Sequence, residues 1–137
     1  MPHAAAQDAF IELMIVAASS DAMMSERELR RIEALVGRLP VFEGFDSARL
    51  TGVANACADK LNGIHGLDGV IDAALAAIPE KLQDTAYSLI VEIVALDLTT
   101  SQEELRFLEF VRDRMRLDRL TTAAIEAAAR ARHRRLP

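Results

Sequence analysis

One stretch of this sequence occurs twice. Residues 21–39 align with residues 97–115 at a constant offset of 76 without gaps, and seven of the nineteen pairs are identical. Both copies read Asp-x-x-x-Ser-x-x-Glu-Leu-Arg and continue with apolar residues at every third or fourth position, which is typical of an amphipathic helix. The repeat therefore predicts an internally duplicated helix–loop–helix hairpin with approximate two-fold symmetry.

Each copy of the repeat begins with a capping box. In the first copy, Ser25 fits the N-cap position, where its hydroxyl accepts a hydrogen bond from a free backbone amide. Glu28 then falls at the third helical position, from which its carboxylate bonds back to the cap. Asp21 precedes the helix, where its charge is favoured by the helix dipole. The second copy has the same residues 76 positions later, so helix capping alone explains the motif.

The same acidic residues are also a candidate divalent-cation site. Ca²⁺ and Mg²⁺ prefer several oxygen ligands, and a symmetric pairing of the two turns would bring four carboxylates together. No EF-hand is formed, because neither copy has the glycine or the final glutamate of that loop. Capping and metal binding both remain open. The metal hypothesis assigns as ligands Asp21, Glu28, Asp97 and Glu104.

Helical periodicity extends over nearly the whole chain, and no alternating strand pattern is present. Aromatic residues make up 4% and Trp is absent, so the core must consist mainly of aliphatic side chains and Met. The sequence predicts an all-α fold, a compact bundle of seven helices forming one domain over residues 1–137. The expected helices cover about 5–20, 25–39, 47–61, 68–78, 79–96, 101–115 and 121–132.

Charge is distributed unevenly along the chain. The net charge is −5, but residues 1–111 carry 8 basic and 18 acidic side chains, whereas residues 112–137 carry 8 and 3. The acidic body disfavours nucleic-acid binding, which needs cations to neutralise phosphates. The basic tail, residues 130–137, is explained by its position at a helix C-terminus, where the helix dipole favours positive charge. It also fits contact with an acidic partner, with membrane lipid as a peripheral attachment, or with the acidic body of the protein itself.

The sequence contains few residues in patterns that suit catalysis. Cys57 is the only cysteine, and its apolar neighbours at helical spacing predict core packing. His65 lies between glycines and is expected in a turn, and no histidine belongs to a metal-binding spacing. We expect a non-enzymatic protein. No apolar stretch reaches the ~20 residues of a membrane span, and no signal peptide is evident, so we expect a cytoplasmic location.

The repeated residues resemble those of the TerB-like family, which includes the tellurite-resistance protein TerB and the N-terminal region of a DnaJ-like membrane co-chaperone. The resemblance covers about residues 8–128, and Ala22 and Leu98 stand where the family commonly has glycine. It implies a duplicated all-helical fold, an acidic surface associated with metal binding, and a role in stress or tellurite resistance. The residues that carry it are Ala9, Phe10, Met14, Ala17, Ala18, Asp21, Ser25 and Glu28, with Ala95, Asp97, Ser101 and Glu104 in the second copy.

Two functions follow as hypotheses. The first is a stress-related interaction or sensor module that binds a divalent cation through the acidic residues. The second is a metal-independent adaptor, which works through a protein partner or through self-association.

Overall fold

The computed structural model describes residues 3–18, 26–95 and 102–137, with the side chains of all of these except residues 102–104. Within these ranges the fold is all-α, as predicted, without a β-strand. No helix in the described ranges is long and apolar enough to cross a membrane. The seven α-helices are α1 (Ala4–Ala18), α2 (Glu26–Arg38), α3 (Leu50–Leu61), α4 (Gly66–Ala77), α5 (Gln83–Ala95), α6 (Gln102–Arg114) and α7 (Arg119–Arg132).

The contacts divide the chain into two compact units, Met1–Pro79 and Glu80–Pro137. We refer to them as unit 1, which contains α1 to α4, and unit 2, which contains α5 to α7. The prediction of one domain over residues 1–137 stays a prediction.

Unit 1 is built around α1. Six of the seven residues from Phe10 to Val16 are apolar and buried, so this helix has apolar side chains on all its faces and needs cover from several sides. Helices α2, α3 and α4 all contact it. Two ion pairs tie its acidic residues to the neighbouring segments, Asp8 with Arg49 at 2.9 Å and Glu12 with Lys60 at 3.0 Å.

A short 3-10 helix, Pro40–Phe42, follows α2. Proline lacks an amide hydrogen, which explains why α2 does not continue through this position. The Gln7 side chain is buried and its Nε2 donates to the carbonyls of Val41 and Glu43, at 3.3 and 3.0 Å. The ring of Phe42 packs edge-on against Phe10, with centroids 6.1 Å apart. The connector is therefore fixed to the start of α1.

Unit 2 is built around α5, which contacts α6 and α7. Its apolar residues are buried, and buried Gln83 at its start accepts a 2.8 Å hydrogen bond from the backbone amide of Arg116. Helix α7 begins two residues before the predicted Thr121, because Asp118 is its N-cap and accepts a 2.7 Å bond from the Thr121 amide. The short 3-10 helix Glu80–Leu82 precedes α5.

Candidate functional site

The structure describes only part of the predicted acidic site. Glu28 lies in the first described turn of α2 and Glu104 in the first described turn of α6, whereas the predicted caps Ser25 and Ser101 lie outside the described residues. Glu28 is half-buried. Asp21 and Asp97, like the side chain of Glu104, lie outside the described part of the chain. Among the described side chains, no three His, Cys, Asp or Glu residues cluster as metal ligands. The four-carboxylate site therefore stays a prediction.

A polar network lies inside unit 2, where α5, α6 and α7 meet. The Tyr87 hydroxyl donates to Glu126 Oε2 at 2.6 Å, and Arg112 donates to the same oxygen at 2.8 Å. Tyr87 is fully buried. Burial and the adjacent Glu126 carboxylate raise the Tyr87 pKa above its ordinary value, so the hydroxyl stays protonated and remains a donor. The network links all three helices of unit 2.

A second polar cluster fixes the end of α7. Glu92 of α5 accepts a hydrogen bond from Arg132 and a 2.9 Å bond from the His133 ring. Burial alone would raise the Glu92 pKa, but the bonds and charges of Arg132 and His133 outweigh it and lower that pKa overall. The prediction that the basic tail contacts acidic residues of the protein itself is thus confirmed for these two side chains.

An apolar pocket of about 650 Å³ lies beside these two clusters, entirely within unit 2. Its floor combines side chains from three helices: Val91, Val94 and Ala95 of α5, Leu105 and Leu108 of α6, and Ala129 of α7. We call this set the apolar floor. The volume is within the range of roughly 300–1,000 Å³ that is usual for ligand pockets.

The rim of this pocket is strongly basic. Arg130, Arg134 and Arg135 line it and are exposed; we call these three residues the arginine rim. None of them forms an ion pair with the described residues. His133 and Glu126 also line the pocket, but both already have partners. His133 bonds Glu92, and Glu126 accepts from Tyr87 and Arg112. Among the described side chains, the rim thus places three positive charges without an ion-pair partner beside an apolar surface.

A second pocket, of about 490 Å³, lies against the first half of α7 and shares Glu126 with the first pocket. Most of its lining is charged, and acidic and basic residues alternate around it, so it has no single preferred ligand charge. Its lining residues are Glu109, Arg112, Asp113, Leu117, Arg119, Thr122, Ala123 and Glu126.

Two residues singled out in the sequence are confirmed in their expected roles. Cys57 is fully buried, and burial, with a smaller contribution from Glu12, raises its pKa to about 11. Since the thiolate is the reactive form, this cysteine is poorly suited to nucleophilic chemistry. His65 is exposed in the turn before α4.

Sequence reasoning identified the basic tail but not the pocket that it borders. The floor residues are ordinary aliphatic positions whose spacing predicts burial, and nothing in the pattern marks them as lining a cavity. Glu126 and Arg112 are fourteen positions apart, and Tyr87 precedes Glu126 by 39 positions. No local motif therefore indicates their network.

A comparison of this chain with protein-family models, curated sequences and solved structures finds no match. The resemblance to the TerB-like family therefore depends on the repeated residues alone.

Proposed function

We propose that this chain is a non-enzymatic, TerB-like binding module, and that the pocket of unit 2 holds an anionic, partly apolar partner. The observation that carries the proposal is the combination of the apolar floor with the arginine rim. Apolar lining supplies most of the binding energy in such sites, while a few polar groups fix the orientation of the ligand. Arginine is suited to the second task because its planar fork pairs with oxyanions.

The duplication belongs to the same proposal, and two features of the structure support it. Helices α2 and α6 end 76 residues apart, at Arg38 and Arg114, which is the offset of the sequence repeat. Gln7 and Gln83 are also 76 residues apart, and each is a buried amide that bonds the connector after the next helix. Gln7 donates to carbonyls and Gln83 accepts from an amide, so the shared feature is a buried amide that fixes the corresponding connector, as expected of duplicated hairpins that have diverged.

The lining of the pocket favours binding over catalysis. Among its described residues there is no Ser, Thr, Cys or Lys to act as a nucleophile. Glu126 already accepts two hydrogen bonds, and the ring nitrogen of His133 is engaged by Glu92. These groups serve to hold helices together. We therefore propose a module that responds to a ligand or partner, in the stress-related context that the TerB-like resemblance implies.

The test uses the fluorescent dye 1-anilinonaphthalene-8-sulfonate, which combines an aromatic body with an anionic group. We expect saturable binding of one dye to the folded protein. The variant Leu105→Asp places a carboxylate on the apolar floor, where it repels the dye, so affinity should fall at least tenfold. Leu105 is 48% exposed, so the fold should tolerate this change.

Leu120→Asp is the matched control, because Leu120 is 82% exposed and does not line the pocket. It should bind the dye as the unaltered protein does. Circular dichroism must show native helix content in both variants, since this dye also binds loosely packed states. Absence of saturable binding, or equal loss of affinity in both variants, would contradict the proposed function.

A further inference from the structure

The two chemistries of the unit 2 pocket come mostly from different helices. The apolar floor is formed by α5 and α6 with Ala129 of α7, whereas the whole arginine rim belongs to the last turn of α7 and the residues after it. A ligand that satisfies both must have an apolar body with its negative charge at one end. We infer that the pocket takes a monomeric single-chain amphiphile with an anionic head, of which a fatty-acid carboxylate is the simplest. This inference rests on the proposed function.

The size of the pocket suits a small ligand. Its volume of about 650 Å³ lies within the roughly 300–1,000 Å³ that is usual for small-ligand sites. A single alkyl chain is thin and can lie along the apolar floor. Each methylene removed from water then stabilises the complex, which makes chain length a sensitive measure of this mode of binding.

The charge around the pocket favours an anionic head. The C-terminus of α7 carries a partial negative charge of about half a unit, which opposes an anion. The arginine rim contributes three full positive charges to the same end and exceeds it. Among the described lining residues the one carboxylate, Glu126, is compensated by Arg112 at 2.8 Å. Guanidinium groups also bind carboxylates and phosphates through paired hydrogen bonds, so both head groups belong to the expected chemistry.

The first experiment measures displacement of the bound dye by octanoate, decanoate and dodecanoate, each below its micelle concentration. We expect affinity to rise about fourfold per added methylene, with one ligand bound per chain. Decyltrimethylammonium has the same tail as a ten-carbon anion but the opposite charge, and it should bind at least tenfold more weakly than decanoate. Dodecyl phosphate compared with dodecanoate distinguishes the two kinds of anionic head.

The second experiment removes the rim charge. The double variant Arg130→Gln, Arg134→Gln should lower the affinity for dodecanoate at least tenfold. Its affinity for decyltrimethylammonium should not fall. Both arginines are exposed, so the fold should be unaffected. The control is Arg30→Gln, Arg38→Gln in unit 1, which makes the same change in net charge at exposed positions of α2 and should leave dodecanoate binding unchanged.

Three results would overturn the inference while leaving the proposed function standing. They are dye binding that no anionic amphiphile displaces, affinity independent of chain length, and equal binding of the cationic amphiphile. Binding to phosphatidylglycerol vesicles without binding of monomeric dodecanoate would overturn it as well, because it would assign the arginine rim to a membrane surface. Failure of the dye itself would instead contradict the proposed function.

Discussion

The two units use the same kind of central helix but surround it differently. In unit 1 three helices contact α1, and the ion pairs of Asp8 and Glu12 lie at the edge of the unit, with partners that are 44% and 59% exposed. In the described part of unit 2, the α-helices that contact α5 are α6 and α7, and the short 3-10 helix Glu80–Leu82 contacts it as well. Polar networks around Glu126 and Glu92 connect these helices, and the pocket lies next to them.

If the proposed duplication is right, this difference shows how one hairpin can be completed in two ways. Unit 1 has two helices after its hairpin, α3 and α4, and both cover α1. Unit 2 has one, and α7 leaves a pocket between itself, α5 and α6. A pocket removes packing contacts, and the charged networks supply bonds that hold the three helices in place. The proposed function accordingly assigns binding to unit 2 and leaves unit 1 a structural role.

The largest expected effect comes from the core of unit 1. Phe10→Ala removes a fully buried ring that packs on Phe42, and it should lower the free energy of unfolding by about 3–5 kcal/mol. Urea unfolding followed by circular dichroism measures the loss for the whole chain. Phe45→Ala is the control, because Phe45 also contacts Phe42 but is only half-buried, and its cost should be clearly smaller.

The same variant tests whether the units unfold together. Tyr87 is the only tyrosine and there is no Trp, so intrinsic fluorescence reports on unit 2 alone. If the chain is one cooperative domain, as the sequence predicts, Phe10→Ala should shift the fluorescence and circular dichroism transitions equally. A fluorescence midpoint that stays in place would show two independent domains and would contradict that prediction.

The second prediction applies one substitution to both units. Glu126→Ala leaves the buried Tyr87 hydroxyl and Arg112 without their shared acceptor, and it should cost about 2–3 kcal/mol of unfolding free energy. Glu12→Ala removes the acceptor of the exposed Lys60 and should cost about 1 kcal/mol or less. Urea unfolding of both variants gives the comparison. Equal losses would contradict the idea that unit 2 depends on its polar network.

The helix boundaries and the polar residues show how far the sequence predicts this structure. The helices follow from apolar periodicity and from proline and glycine positions, because these signals are local. The predicted start of α7 was two residues too late, because its N-cap Asp118 lies before the first residue with a clear apolar period. Glu126 looks like any polar residue on a helix surface. Its partners are distant in sequence, and only the packing of α5, α6 and α7 brings them together.

The third prediction tests the equivalence of the two hairpins. Gln7→Ala and Gln83→Ala each remove a buried amide that bonds a connector, and each should cost about 1 kcal/mol. Since the two sites share no partner, the double variant should lose about the sum. Stability measured by urea unfolding provides the test. Losses that differ by more than about 1 kcal/mol would argue that the two glutamines are not equivalent.

The fourth prediction concerns acid stability, which should involve α7 of unit 2. Because the folded-state pKa of Glu92 lies below its ordinary value of 4.5, its ionised form stabilises the fold above that pH. The contribution is lost as pH falls through the lower folded-state pKa. Glu92→Gln should therefore cost about 0.5–1 kcal/mol at pH 7, a modest figure because Arg132 is 53% exposed. The cost should shrink towards pH 3.

Glu80→Gln is the matched control for this pH dependence. Glu80 pairs with Arg116 at 3.8 Å, but both side chains are mostly exposed, so the substitution should change stability little at either pH. Thermal unfolding at pH 7 and pH 3 measures all three proteins. If Glu92→Gln were as destabilising at pH 3 as at pH 7, the lost interaction would not involve the ionised carboxylate.

The smallest expected effect tests the hypothesis that the two halves share a metal site through Asp21, Glu28, Asp97 and Glu104. Calorimetric titration with Ca²⁺, Mg²⁺, Mn²⁺ and Zn²⁺ should show millimolar binding, and metal at a concentration equal to Kd should stabilise the fold by only about 0.4 kcal/mol. Joint Asp21→Asn and Asp97→Asn substitution removes one charge from each copy of the repeat and should abolish that heat. Heat that persists in the double variant, or its absence in the unaltered protein, would leave these residues with helix capping alone. Unit 2 would then be the half that responds to ligand, through its pocket.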